Sequence, residues 1–336
     1  MKKFLIIQTA FIGDVVLATA IIEKIHQFYP DATIDFLLRK GNEELLKDHP
    51  FLKNVWVWDK KNQKNKNLLR IIHTVRHQQY DYVINAHRFA TSCIITCLSK
   101  ARHKIGFNKN PFSWCFTHKV EHIISAPYAH QPIHETDRNQ SLITDLTDAH
   151  KAHPRLYPSE AAYEKVKPLQ GQPYICIAPS SVWFTKQFPP DKWAALLNEL
   201  PNRFKVYLLG APSDATIASQ IMKATYNENV QSLCGSLNFL ESAALMKGAA
   251  MNYANDSAPL HFASAVAAPI TAVYCSTVPA FGFGPLGENV RVVEVTEKLD
   301  CRPCGLHGLK ACPQRHFNCA YKITNDQLLW WISKKI

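Results

Sequence analysis

No apolar run in this chain approaches the ~18–20 residues that a bilayer-spanning helix requires. Nor is there a short-period repeat or a low-complexity tract, which excludes repeat arrays and disordered linkers as the main architecture. Acidic residues are the scarcer charge: 27 Asp and Glu stand against 38 Lys and Arg, for a net +11. That excess points to a polyanionic partner, whether nucleic acid, anionic lipid or a phosphorylated substrate, although a basic protein without such a partner has the same balance. A nucleic-acid binder would also carry a concentrated basic-aromatic motif, and none is present. Apolar residues make up 47% and charged residues 19%, a globular composition. At 336 residues the chain exceeds most single cores and predicts two domains.

The N-terminus, Met1-Lys2-Lys3 before an apolar stretch and Ala18-Thr19-Ala20, imitates a signal peptide. Gln8, Thr9, Gly13 and Asp14 interrupt the apolar region, so it reads as a first strand and helix. The expectation is a cytoplasmic protein, attached at most peripherally to a membrane. Strands are expected at 4–8, 33–38, 55–58 and 82–85, with helices near 15–29, 42–48, 67–78 and 90–99. Lys60–Lys66 reads as a basic loop, 106–135 as irregular, and 134–148 as a helix. Such alternation argues for βαβ units and a parallel sheet. Prolines 154, 158, 168 and 173 with Gly171 mark a boundary, after which the alternation restarts. The domains are placed at 1–155 and 156–323, with a last helix at 324–336.

Several strand ends carry chemistry-bearing residues. Asp14 follows the first strand at a helix start, where it is either an N-cap or a general base. A helix start also favours its ionised form. Asn255-Asp256-Ser257-Ala258-Pro259-Leu260-His261 opens another helix, whose free N–H groups suit a diphosphate, or merely a cap. Pro179-Ser180-Ser181 with Lys186 offers hydroxyls and an ammonium for phosphate oxygens. Asp214, after Gly210-Ala211-Pro212, could accept from ribose hydroxyls or supply first-turn charge. His87-Arg88 and His134 to Arg138 add cations on the Asp14 side, with surface or capping clusters as the plain alternative.

Of ten cysteines, Cys93, Cys97, Cys115, Cys176, Cys234 and Cys275 read as reduced core residues. Cys301, Cys304, Cys312 and Cys319 cluster within 19 positions, with His307 and His316 among them. That spacing is compatible with structural zinc, with reduced packing and with disulfides.

Together these motifs resemble glycosyltransferase family 9, the ADP-heptose:lipopolysaccharide heptosyltransferases. The match rests on Ile12-Gly13-Asp14, Ala178-Pro179-Ser180-Ser181 with Lys186, Gly210-Ala211-Pro212 with Asp214, Asn255-Asp256-Ser257 with His261, and the cysteine cluster, in the family's order. Ser257-Ala258 stands where the family often has Thr-Gly, and Gln187-Phe188 where Arg or Trp commonly follows the Lys. The resemblance implies an α/β GT-B fold of two Rossmann-like domains facing across a cleft, the last helix packing back on the first domain. It implies an inverting, metal-independent heptosyl transfer from ADP-heptose to a lipid A-Kdo type lipopolysaccharide acceptor at the inner face of the inner membrane, with no cofactor and no nucleic acid. Asp14 would be the base. Ser180, Ser181, Lys186, Asp214, Asp256, Ser257, Ala258 and His261 would hold the donor. Thr9, Gly13, His87, Arg88, His134 and Arg138 would meet the acceptor. Two rivals are a transferase or epimerase using another nucleotide-sugar, and a basic nucleic-acid-binding protein with a four-cysteine zinc knuckle.

Overall fold

A computed structural model describes residues 1–335, the side chains of 333–335 excepted. The chain divides into two units. One is Met1–Ile124 with Ile133–Tyr157; the other is Ser125–Pro132 with the chain from Pro158 onward.

The first unit runs β1 (Lys3–Ile7), α1 (Ile12–Phe28), β2 (Thr33–Arg39), β3 (Leu52–Trp58), α2 (Lys64–Gln78), β4 (Tyr82–Asn85), α3 (Ala90–Leu98), β5 (His103–Phe107), β6 (His118–Val120) and α4 (Glu135–Ser141). Its strands form one parallel sheet in the order β3-β2-β1-β4-β5-β6. β1 is buried from Phe4 to Ile7, as expected of a central parallel strand covered on both faces. α1 is buried from Val15 to Ile22, so its apolar run is a core helix. α2 is amphipathic and buries only Ile71, Ile72 and Val75.

The second unit continues with α5 (Glu160–Val166), β7 (Tyr174–Ala178), α6 (Pro190–Glu199), β8 (Lys205–Leu208), α7 (Ala215–Ala224), β9 (Val230–Ser232), α8 (Phe239–Gly248), β10 (Met251–Asn255), α9 (Ala258–Ala265), β11 (Ile270–Tyr274), β12 (Val290–Glu294), α10 (Asn318–Tyr321) and α11 (Asn325–Lys335). Its parallel sheet has the order β12-β11-β10-β7-β8-β9. Counted from β7, this is the same doubly wound pattern as in the first unit. Trp193 of α6 anchors the core edge-on to Phe188, at 5.0 Å between ring centres, and to Tyr253, at 6.4 Å.

Several expectations need correction. β5, β6 and β12 were not anticipated. β6 is an exposed edge strand, and proline and glycine nearby obscure its pattern. The helix expected near 42–48 is a 3-10 turn, Glu43–Leu46, and the helix expected through 148 stops at Ser141. The boundary falls after Tyr157, and the segment Ser125–Pro132 belongs to the second unit, where the Tyr128 hydroxyl donates to the Arg302 carbonyl at 2.9 Å. Cys97 and Cys115 are disulfide-bonded rather than reduced. Leu328 and Ile332, one turn apart on α11, lie in the second unit's core, and the Tyr253 hydroxyl donates to the Leu328 carbonyl at 3.0 Å. The helix expected to pack on the first domain thus has its apolar face in the second unit. Leu328→Ala is expected to cost about 2–5 kcal/mol, the usual range for such a cavity. Urea unfolding followed by tryptophan fluorescence checks this, and an unchanged midpoint contradicts the packing.

Candidate active site

β1 and β4 are neighbours, yet the chain leaves them toward opposite flanks of the sheet. Ligands of doubly wound sheets gather at such a switch point, outside the carboxyl ends of the strands. Thr9 follows β1 and His87 follows β4, and Thr9 Oγ1 lies 3.1 Å from His87 Nδ1. Asn85, buried at the end of β4, accepts the His87 amide at 3.0 Å and donates to Thr96 Oγ1 at 3.0 Å. Lys60, after β3, donates from Nζ to the Thr9 carbonyl at 2.7 Å and to Thr9 Oγ1 at 3.1 Å.

Asp14 is the third residue of α1, and the N-cap is Phe11. Its carboxylate reaches back to accept the Phe11 amide at 3.1 Å. The helix start does not keep its pKa low. Burial, joined by repulsion from Glu135, outweighs the amide contacts and Arg39 and pushes the carboxyl up to about 7. Burial raises Glu135 as well, against Arg138, whose Nε and Nη2 lie 2.8 and 2.7 Å from Glu135 Oε2. Arg138 also donates to the Ile133 carbonyl at 2.7 Å. His134 caps α4, its Nδ1 accepting the Thr136 amide at 3.2 Å. His134 and Arg138 therefore support the placement of Glu135.

Burial and the nearby Lys60, Arg88 and Arg39 charges lower His87 to about 3. Burial, Arg88 and Arg138 lower His122 to about 4. Burial, Arg39 and Lys64 lower Lys60 to about 8. The region thus holds two carboxyls, Asp14 and Glu135, among the cationic groups Arg39, Lys60, Arg88 and Arg138. Arg39, Lys60, His122 and Glu135 escaped the sequence reading. Lys60 was visible only as part of a basic run, and its reach to Thr9 has no local signal.

The second unit repeats the plan between β7 and β10. Asn255 ends β10, as Asn85 ends β4. Its Nδ2 donates to the Pro179 carbonyl at 2.7 Å and its Oδ1 accepts the Phe188 amide at 3.0 Å, so one side chain holds both ends of the loop bearing Ser180, Ser181 and Lys186. Lys186 Nζ lies 2.6 Å from Asp256 Oδ2, which also accepts from Thr277 Oγ1 at 2.7 Å. Ser180 Oγ donates to Asp214 Oδ1 at 2.8 Å, while Asp214 Oδ2 accepts the Ala211 amide at 2.8 Å. Ser257 is the N-cap of α9, Ala258 its first residue, and His261 is buried one turn on. The structure thus joins Lys186 with Asp256 and Ser180 with Asp214.

Cys301, Cys304, Cys312 and Cys319 line one cavity of about 200 Å³ with Thr185 and Ser276. Thr185 precedes Lys186 and is bound through its Oγ1 to the Leu309 amide at 2.8 Å and to Ser276 Oγ at 2.9 Å. The cysteine segment therefore borders the Lys186 turn. Among the described residues, the group whose ligand atoms all lie within 4.8 Å of one another is instead Cys93, Cys97 and Cys115.

Two doubly wound units, each with polar groups converging at its switch point, are the architecture of the GT-B fold. The model of glycosyltransferase family 9 (heptosyltransferase) matches residues 68–307, and the chain belongs to that family. Lipopolysaccharide heptosyltransferase 3 of Escherichia coli K12 is 29% identical over 296 residues, covering 83% of each chain. The crystal structure of the glycosyl transferase family 9 from Veillonella parvula superposes with a TM-score of 0.85 at 18% identity, covering 99% of this chain and 96% of that one. E. coli heptosyltransferase WaaC with ADP gives 0.76 at 18%, covering 99% and 100%.

The electrostatics make one direct prediction. The His87 ring should stay neutral across the range of about pH 5–8 in which an ordinary histidine titrates. Its imidazole NMR signals are expected not to shift there; a midpoint near 6.5 contradicts the burial and the cationic field.

Proposed function

We propose that the chain moves heptose from ADP-heptose to a lipopolysaccharide inner-core acceptor of the lipid A-Kdo type, with inversion, and that Asp14 is the general base. The supporting observation is the Asp14 carboxyl at about 7, set at a switch point in a cationic field. A base titrating near the working pH combines a useful ionised fraction with proton affinity. Asp14 takes the proton from the acceptor hydroxyl as that oxygen bonds to the anomeric carbon. The bond from that carbon to the diphosphate oxygen breaks, and ADP leaves from the opposite face. One such displacement inverts the anomeric centre. Thr9, Gly13, His87 and Arg88 line the acceptor side, and Arg39, Lys60 and Arg88 face the acceptor's carboxylates or phosphates. We assign His134 and Arg138 to holding Glu135 rather than to acceptor contact.

On the donor side, Lys186 and the first turn of α9 at Ser257 and Ala258 stabilise the charge gained by the leaving diphosphate. Asp256 spends one Lys186 hydrogen on an ion pair and leaves two for phosphate oxygens. Asp214, with Ser180 on one oxygen, accepts from the ribose, and Ser181 and His261 complete the donor pocket. No step requires a cofactor. The reaction belongs to the inner face of the inner membrane, and among the described residues no helix is long and apolar enough to cross it. The name and the ADP of the relatives support this donor and acceptor.

Four thiols on one cavity are the donor type zinc takes, although their sulfurs are not gathered within 4.8 Å of one another; zinc held there would be structural because four thiolates leave no open position for water. Cys301, Cys304, Cys312 and Cys319 would hold it and brace the Lys186 turn through Thr185. Metal analysis of protein purified without chelator is expected to give about one zinc per chain. Four free thiols and no metal would instead show reduced packing.

Asp14→Asn preserves an acceptor for the Phe11 amide but removes the base. Turnover should fall by about two to four powers of ten with ADP affinity unchanged. Because the base must be deprotonated, wild-type kcat should rise with pH through about 7, and this limb should vanish in the variant. Near-normal turnover would falsify the assignment. Lys186→Ala should weaken ADP about ten- to hundredfold, as charge-assisted contacts do. Asp214→Ala should weaken ADP more than its deoxyribose analogue; equal losses would leave Asp214 only its turn-closing role. Competition among ADP-, UDP- and GDP-sugars tests the donor, and preference for a nucleotide other than ADP contradicts it.

A further inference from the structure

α2 contains no Asp or Glu along its fifteen residues. Its inner face is spent on the core through Ile71, Ile72 and Val75. Its outer face exposes Lys64, Lys66, Arg70, His73, Arg76 and His77. His73 and His77 stack edge-on at 4.2 Å. Amid these cations stands Leu69, 67% exposed. The end of the helix opens onto a cavity of about 690 Å³ lined by His73, Arg76, His77, Tyr80, Lys100 and Arg102, with no acid among its lining residues. The neighbouring Asp81 already accepts the Lys3 amide at 2.8 Å. Among the described residues, none of these lysines and arginines stands within ion-pair distance of a carboxylate.

We propose that the outward face of α2, continued by Lys100 and Arg102, docks on an anionic lipid bilayer. The cations lie along a helix of roughly 22 Å rather than converging on a point. That spread suits a charged plane, whereas a single phosphate needs donors aimed at one place. Leu69 supplies an apolar contact that can enter the headgroup layer, as on interfacial helices. Near an anionic membrane each Lys or Arg contributes about 1 kcal/mol, so a row of them suffices for reversible adsorption. The location also matters. Lys64, at the start of α2, lies close enough to act on Lys60, which holds Thr9 at the switch point. Docking by α2 therefore brings the acceptor side of the first unit to the bilayer edge. This deepens the reading of a lipid-linked acceptor, on which it rests, by naming the surface that meets the lipid.

The test is sedimentation of the full chain with phosphatidylcholine vesicles and with vesicles also containing phosphatidylglycerol. Arg70→Glu/Arg76→Glu is compared with Lys223→Glu/Lys298→Glu, exposed residues of the second unit that change net charge equally. Wild type should bind only the anionic vesicles, and added salt should release it. The α2 pair should lose at least about thirtyfold in partition, two cations at about 1 kcal/mol each with repulsion from the two new carboxylates added, and the control pair little. Leu69→Ser should weaken binding severalfold while keeping the salt dependence. Equal losses in both pairs, equal binding to neutral vesicles, or a loss confined to RNA binding overturns the proposal. Transfer assayed with a delipidated acceptor separates the two readings. Activity there with vesicle binding unaffected by the α2 pair sinks only the dock, whereas no heptosyl transfer sinks the function.

Discussion

Between β1 and β4 the chain departs in opposite directions, and that split concentrates the first unit's polar groups where two loops diverge. The sheet buries β1 from Phe4 and β4 from Val83 onward, so polar side chains act beyond their carboxyl ends. Asp14 is drawn into the first turn of α1 by the Phe11 amide, and there it loses more water than the helix start returns in favourable charge. Glu135, itself buried, adds repulsion. The raised pKa of Asp14 is thus a product of packing, which Arg39 and the amide contacts offset only in part.

The second unit meets a related problem at its own switch point. In the proposed reaction that point receives a diphosphate, for which it offers an ammonium, hydroxyls and a helix start. A free ammonium beside α9 would be misplaced by its own flexibility, and Asp256 with Thr277 fixes it. Asn85 and Asn255 occupy corresponding strand ends, each buried and each using its amide to fasten the adjoining loop. The two units thus share a scaffold and differ in the side chains that their switch points carry.

Much of this was legible in the sequence where strands are continuously apolar. β1 and β7 announce themselves, β10 is legible despite Asn252 and Asn255, and the residues after these three are among those the structure gathers. Edge strands are another matter. β6 and β12 lack a buried face on one side, so their composition does not separate them from loops. The partners of Asp14 were hidden for a different reason. Glu135 and Arg39 lie far from it in sequence, and their effect depends on burial, which no local pattern records. His134 and Arg138 were visible as cations, but only the fold shows that one caps α4 and the other neutralises Glu135. The disulfide between Cys97 and Cys115 joins α3 to a turn the sequence left irregular.

The account stands on a single carboxyl being held near neutrality by burial and by Glu135. Its direct test is the carbon-13 NMR titration of the Asp14 carboxyl in the wild type and in Glu135→Gln. A midpoint near 7 that falls when Glu135 loses its charge is the predicted result. An ordinary midpoint near 4, indifferent to Glu135, would contradict it.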